Sequence, residues 1–318
     1  VTLVDGPDSA VPQPDRRLML VHAHPDDESS QSAATMAHYV AEGAAVTLVT
    51  CTLGELGEIV TPELDYLRDK PAELGRHRLG ELSAAMEQLG VTDFVRLGGD
   101  GRFSDSGMAY DEATGFAIPA QDLPDNAFWK ADLLVAATEL VALIRDRRPQ
   151  VLITYDSFGH YGHPDHIQAH RVTHYAYTLA AAPAFRPDLG PAWQVDRILW
   201  SASPADEMRA MIRVAKEAAA DRDDEGPSFF AAYDPDGPDD PPMSTPNRYI
   251  VARIAGAPWR SRRLAALRAH RSQITEEGIR WFTDEDHMGP FMNECYVLGA
   301  GSAPPAGADD LFAGIDSD

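Results

Sequence analysis

The chain is poor in cysteine: Cys51 and Cys295 are the only two in 318 residues. No CxxC pair or disulfide framework can be drawn from them, so a disulfide-stapled scaffold is excluded and a reducing compartment is expected, the cytoplasm by default. No apolar run reaches about 18 residues, so no membrane-spanning helix is expected. The opening VTLVDGPDSAVPQPD has no basic region followed by an apolar stretch, so no export signal is expected either. Basic residues are outnumbered, 27 against 50 acidic ones, for a net charge of −23. A phosphate backbone or anionic lipid surface would be repelled at long range, so neither nucleic acid nor membrane is an expected partner. GxGxxG is also missing, which leaves a dinucleotide cradle unsupported.

Much of the acidity is local. Residues 1–15 carry three acids and no base, 221–247 carry eight acids and Arg222, and 301–318 carry four acids. The remainder is only moderately acidic, and at 44% hydrophobic residues the chain can bury a full core.

Short apolar runs alternate with helical segments. RLMLVHA at 17–23, a helix over 33–42 and AVTLVTC at 45–51 read as a βαβ opening. A helix over 73–89, a strand at 94–97, a helix over 130–147 and VLITY at 151–155 continue the pattern. A helix over 164–182 and RILWSA at 197–202 follow. Such alternation predicts an α/β fold, Rossmann-like, with about five parallel strands and helices on both faces. Beyond it come a helix at 206–218, the strand RYIVARI, a basic helix at 258–271 and the strand ECYVLG at 294–299. The domains expected are a flexible extension over 1–15, a catalytic domain over 16–202 and a smaller C-terminal subdomain over 203–300 that completes the pocket. An acidic, Pro-rich loop is expected at 221–247 and a disordered tail at 301–318.

Chemistry concentrates in two segments. His24-Pro25-Asp26-Asp27-Glu28 stands where the first strand ends, and in open α/β sheets ligands bind at the carboxyl ends of strands. The bland reading makes the three acids a cap for the next helix. Three adjacent carboxylates repel one another unless a cation sits among them, and Pro25 disfavours helix at His24. His22 alternates with His24 and reads as structural. The second segment, Gly162-His163-Pro164-Asp165-His166, follows VLITY, and Pro164 suits a first helical position. One helical turn can then aim two imidazoles at one point. His24, one carboxylate and one downstream histidine match a catalytic zinc site with three protein ligands and an open fourth position.

AHPDDE followed much later by GHPDH resembles the LmbE-like family of zinc-dependent N-deacetylases. TCTLGELGE at 50–58, HRLGEL at 77–82 and LGGDGRFSDSGM at 97–108 are similar to the branch that deacetylates N-acetylglucosaminyl-inositol in mycothiol biosynthesis. The resemblance spans about residues 16–180 and thins to matches such as AHRSQI at 269–274. It implies one Zn²⁺ per chain, with Fe²⁺ as an alternative, held by His24, Asp27 and His166, and Asp26 as general base. It implies that Tyr161 and His163 face the developing oxyanion, that His163 also protonates the leaving amine, and that Asp165 orients a neighbouring histidine. Arg78, Asp105, Glu58 and Met108 are the implied sugar contacts. The implied partner is a small-molecule amino sugar; no oligomeric state follows. The mycothiol S-conjugate amidases are an alternative, although their HAHPDDESS typically continues into lysine where this chain has Gln31. Another amino-sugar deacetylase, a noncatalytic sugar-binding protein and a two-metal phosphoesterase are the remaining alternatives.

Overall fold

Leu18 and Leu20 lie on one face of the first strand, Met19 and Val21 on the other, and all four are buried. A strand apolar on both faces must be covered on both, the condition for a parallel sheet inside an α/β sandwich. The computed structural model describes residues 15–220, 233–279 and 292–315. Its main sheet contains β1 (Arg17–His22), β2 (Ala45–Thr50), β3 (Asp93–Arg96), β6 (Val151–Thr154), β7 (Arg197–Ala202), β8 (Ile250–Ile254) and β9 (Glu294–Gly301). The order is β3-β2-β1-β6-β7-β9-β8. The five strands from β3 to β7 are parallel, and β9 and β8 add antiparallel. A separate hairpin, β4 (Met108–Tyr110) with β5 (Ala117–Pro119), stands apart. Nothing in the sequence pattern had indicated it.

The helices are α1 (Asp27–Gln31), α2 (Ala33–Ala41), α3 (Pro71–Leu89), α4 (Leu133–Arg147), α5 (Gly159–Gly162), α6 (Pro164–Ala180), α7 (Ala205–Ala220) and α8 (Arg260–Ala269). One core lies between Leu18, Leu20 and the apolar sides of α2, α3 and α8, with Met36, Leu82, Met86 and Ala266 buried there. The opposite core joins Met19 and Val21 to Leu140 and Ile144 of α4 and Ala169 and Val172 of α6. Each of the Leu, Ile, Val and Met side chains contributes about 1.5–3 kcal/mol on full burial. Local signals set the ends: α3 begins at Pro71 and stops at Gly90, whose φ of 78° suits glycine, while the Asp132 side chain caps α4 by accepting from the Val135 N–H at 3.0 Å.

Two expectations are corrected. The tail over 301–318 is ordered as far as described: Leu311 and Phe312 are buried in the core, and the Asp310 carboxylate accepts from the Tyr39 hydroxyl at 3.0 Å and pairs with Arg16 at 3.1 Å. A few apolar residues inside an acidic, Gly-rich stretch were enough to dock it. The boundary at 202 marks a change of pairing direction within one sheet, since β9 hydrogen-bonds directly to β7. Of the acidic loop, 221–232 lies outside the described residues, as do 1–14 of the N-terminal extension. The later part of the loop is held by Arg213 of α7, which pairs with Asp236 at 2.8 Å.

Candidate metal centre and active site

β1 and β6 are adjacent parallel strands, so the loops leaving their carboxyl ends meet. The first carries His24 to Glu28 and the second Tyr155 to His166. The helix α1 begins at Asp27, one residue after the strained backbone of Asp26 (φ 117°), whose side chain makes no capping hydrogen bond. Asp26 stands at the cap position without capping, which removes the bland reading for this residue.

Asp27 is central. Its Oδ2 accepts from the His24 N–H at 2.9 Å and from the Tyr155 hydroxyl at 2.7 Å. Its Oδ1 lies 3.3 Å from His166 Nε2, and His24 Nδ1 lies 3.4 Å from Oδ2. Ligand atoms about 2.0–2.1 Å from a tetrahedral ion are about 3.3 Å apart, so the spacing of Asp27 Oδ1 and His166 Nε2 fits a zinc-sized cation.

The hydrogen bonds also decide which nitrogens are available. His24 Nε2 faces Asp165 Oδ2 at 3.3 Å and Asp105 Oδ1 at 3.6 Å, which places its proton on Nε2 and leaves the Nδ1 lone pair toward Asp27. His166 Nδ1 faces the Gly159 carbonyl at 3.3 Å, which leaves Nε2 unprotonated. That Nε2 is buried and has no hydrogen-bond partner. An orphaned, unprotonated imidazole nitrogen beside a carboxylate is what a cation site requires. His163 offers a third nitrogen within 4.8 Å of His24 and His166, but its Nδ1 accepts from the Asp165 N–H at 3.1 Å. Its remaining nitrogen therefore carries the proton and is a donor, not a ligand.

His24, Asp105 and Asp165 are a second close group. Those two carboxylates are already engaged: Asp165 Oδ2 accepts from the Ser106 N–H at 2.9 Å, and Asp105 accepts from Gly107 at 2.8 Å and Leu56 at 3.1 Å. Burial would push Asp105 up, but facing His24 holds it well below the usual carboxylate range. This cluster orients His24 and needs no second ion. Asp105, expected as a sugar contact, accepts from the Gly107 and Leu56 backbone, faces His24 Nε2 and borders the pocket.

Burial raises Asp26 to about 6, against the opposing pull of Arg78, whose Nη2 donates to Asp26 Oδ2 at 3.0 Å. A carboxylate of that pKa is matched to proton transfer near neutrality. Arg78, expected to bind sugar, also donates to the Gly54 carbonyl at 2.7 Å and to the Pro25 carbonyl at 2.5 Å, so most of its guanidinium is taken up in holding the base and its loop. The Asp26 N–H is held by Glu28 Oε2 at 2.8 Å, and Glu28 Oε1 meets His270 Nε2 at 2.8 Å. His270 was not anticipated; its only sequence signal was the AHRSQI match. His22, read as structural, faces Ser32 Oγ and the Tyr155 hydroxyl, both at 3.3 Å.

Asp26, Asp27, His24, Tyr161 and His163 face a pocket of about 370 Å³. Burial pushes the Tyr161 hydroxyl up and the His163 imidazole down, so both enter the pocket as neutral donors. Glu58 and Met108 border it, beside Leu56, Tyr110 and Gln273, which were not foreseen.

A family model described as GlcNAc-PI de-N-acetylase (PIG-L) matches residues 19–177, a span that holds both motifs. A 1D-myo-inositol 2-acetamido-2-deoxy-alpha-D-glucopyranoside deacetylase from Kribbella flavida is 52% identical over 308 residues, 95% of this chain and 99% of that protein. One of the same description from Nocardioides sp. is 51% identical over the same shares. Among solved structures, the N,N'-diacetylchitobiose deacetylase from Pyrococcus horikoshii aligns with a TM-score of 0.56 at 14% identity, covering 89% of this chain and 83% of that one, a likeness of fold.

Proposed function

The chain belongs to the GlcNAc-PI de-N-acetylase (PIG-L) family of N-deacetylases, and we propose that it removes the acetyl group from N-acetylglucosaminyl-inositol, the reaction for which its near full-length relatives are named. We assign the metal to His24, Asp27 and His166, with Zn²⁺ as the ion and Fe²⁺ also acceptable to this donor set. The observation that carries the assignment is the buried, partnerless His166 Nε2 beside Asp27 Oδ1. When bound, such an ion acts as a Lewis acid and brings water within reach of deprotonation near neutral pH.

The protein's own groups do the rest. Asp26, held by Arg78 and Glu28, takes the proton of the attacking water. Tyr161 and the Nε2–H of His163 donate to the amide oxygen as it gains negative charge. The carbon–nitrogen bond then breaks, and the leaving amine takes a proton. The Asp165 N–H on His163 Nδ1 favours His163 as a neutral donor over His163 as the acid for that amine. Asp26, having received a proton, is the group placed to return one. Asp165 orients His24. Glu58 and Met108, at the pocket border, are the proposed contacts to the sugar, while the 203–300 segment completes the pocket through Gln273. The protein's place is the cytoplasm, consistent with two free, buried cysteines. No helix among the described residues is long and apolar enough to cross a membrane.

The test compares acetate release from N-acetylglucosaminyl-inositol and from plain N-acetylglucosamine, with metal content determined on the same sample. Preference for the inositol conjugate with about one metal per chain is expected. Equal rates would remove the substrate assignment. Asp26→Asn should keep the metal and lose turnover by about 10²–10⁴-fold.

A further inference from the structure

Tyr155 follows the last residue of β6 and is fully buried. It does not border the pocket. It nonetheless touches both loops that build the metal site. Its hydroxyl accepts from the Ala23 N–H at 2.7 Å and donates its single proton to Asp27 Oδ2 at 2.7 Å. Its ring lies face to face with His166, centroids 4.1 Å apart and planes inclined by 14°.

Each contact restricts one proposed ligand. With two donors on Asp27 Oδ2, the carboxylate cannot rotate without breaking both bonds, so Oδ1 remains the oxygen turned to His166 Nε2. The stacked ring prevents the His166 imidazole from tilting on that side, while the Gly159 carbonyl fixes its Nδ1. The bond to Ala23 ties the hydroxyl to the chain just before His24, so the β1 and β6 loops keep one spacing. Neighbours that hold metal ligands in this way are worth about 10–100-fold in metal affinity.

We propose that Tyr155 is a positioning residue for the metal site, setting through its hydroxyl which oxygen of Asp27 meets the ion and through its ring the plane of His166. This rests on the assignment of Asp27 and His166 as ligands.

The experiment measures Zn²⁺ affinity of the apoprotein by chelator competition for the wild type, Tyr155→Phe, Tyr155→Leu and His166→Ala, with thermal melting of each apoprotein alongside. Phe keeps the ring and loses the hydroxyl; Leu loses both. The expected order is wild type tightest, Phe about 10-fold weaker and Leu weaker still, up to about 100-fold. Metal binding unaffected by His166→Ala would overturn the ligand assignment itself. Binding abolished by His166→Ala but unchanged in a folded Tyr155→Phe protein would overturn the Tyr155 proposal alone. Should Tyr155→Phe fail to fold, 3-fluorotyrosine in the otherwise unaltered protein decides: the fluorine resonance of Tyr155 is expected to shift on Zn²⁺ addition, and a stationary resonance would overturn the proposal.

Discussion

Arg78 and Asp26 form a 3.0 Å ion pair in which the arginine is almost wholly buried and the carboxylate about a quarter exposed. The cation keeps its partner's carboxyl from rising further in a desolvated site, so base strength is set by two opposed effects.

Replacing Arg78 by Gln removes the charge. The acid limb of the pH–rate profile should then move upward, by about 1–3 units, because an arginine beside an aspartate lowers its pKa by about that much. The check is kcat against pH with metal saturating. An unmoved acid limb with a raised KM would return Arg78 to the sugar-contact role that the sequence had suggested.

Tyr161 and His163 should behave as donors to charge that appears only in the transition state. Tyr161→Phe and His163→Gln are each expected to lower kcat by about 10²–10³-fold, with KM little changed. A KM effect in place of a kcat effect would make either one a ground-state contact.

His174 lies outside the site and accepts a hydrogen bond from the Trp200 indole N–H at 2.9 Å. Burial and the neighbouring His170 hold it down to about 4 from 6.5. The unfolded chain therefore binds a proton more readily than the folded one between about pH 6.5 and 4, so this group favours unfolding as pH falls through that window and costs nothing above it. Urea titrations at several pH values, followed by tryptophan fluorescence, should show a shallower acid loss in His174→Gln than in the wild type. Parallel curves would reject the assignment.

Removing residues 303–318 should destabilise the fold. Leu311 and Phe312 are buried, and at about 1.5–3 kcal/mol for each side chain the loss is about 3–6 kcal/mol, with Asp310's contacts to Tyr39 and Arg16 going too. Chemical denaturation of the truncated chain measures it; an unchanged midpoint would show that the docked tail contributes nothing.

The five parallel strands were legible because each is a short apolar run followed by a helical period, a local property. His24, one carboxylate and one downstream histidine were legible as candidates because both motifs follow such runs; Asp27 and His166 were singled out only by the family resemblance. The insertion of β9 between β7 and β8 was not, since pairing partners far apart in sequence leave no local mark. The hairpin escaped because its strands have three residues each. Tyr155 was read only as the end of VLITY; its Asp27 contact spans 128 positions. The commitment of Arg78 to Asp26 is likewise a product of the tertiary fold, and a helical Arg-His-Arg patch looks the same whether buried or solvated.

Because the two halves of the proposed site follow neighbouring strands yet lie far apart along the polypeptide, a ribosome that has released only the first half has made no place for an ion. On the proposed ligand set, metal capture would wait until β6 has joined β1. Withholding the proposed metal should accordingly leave a finished shell, not a chain arrested before folding.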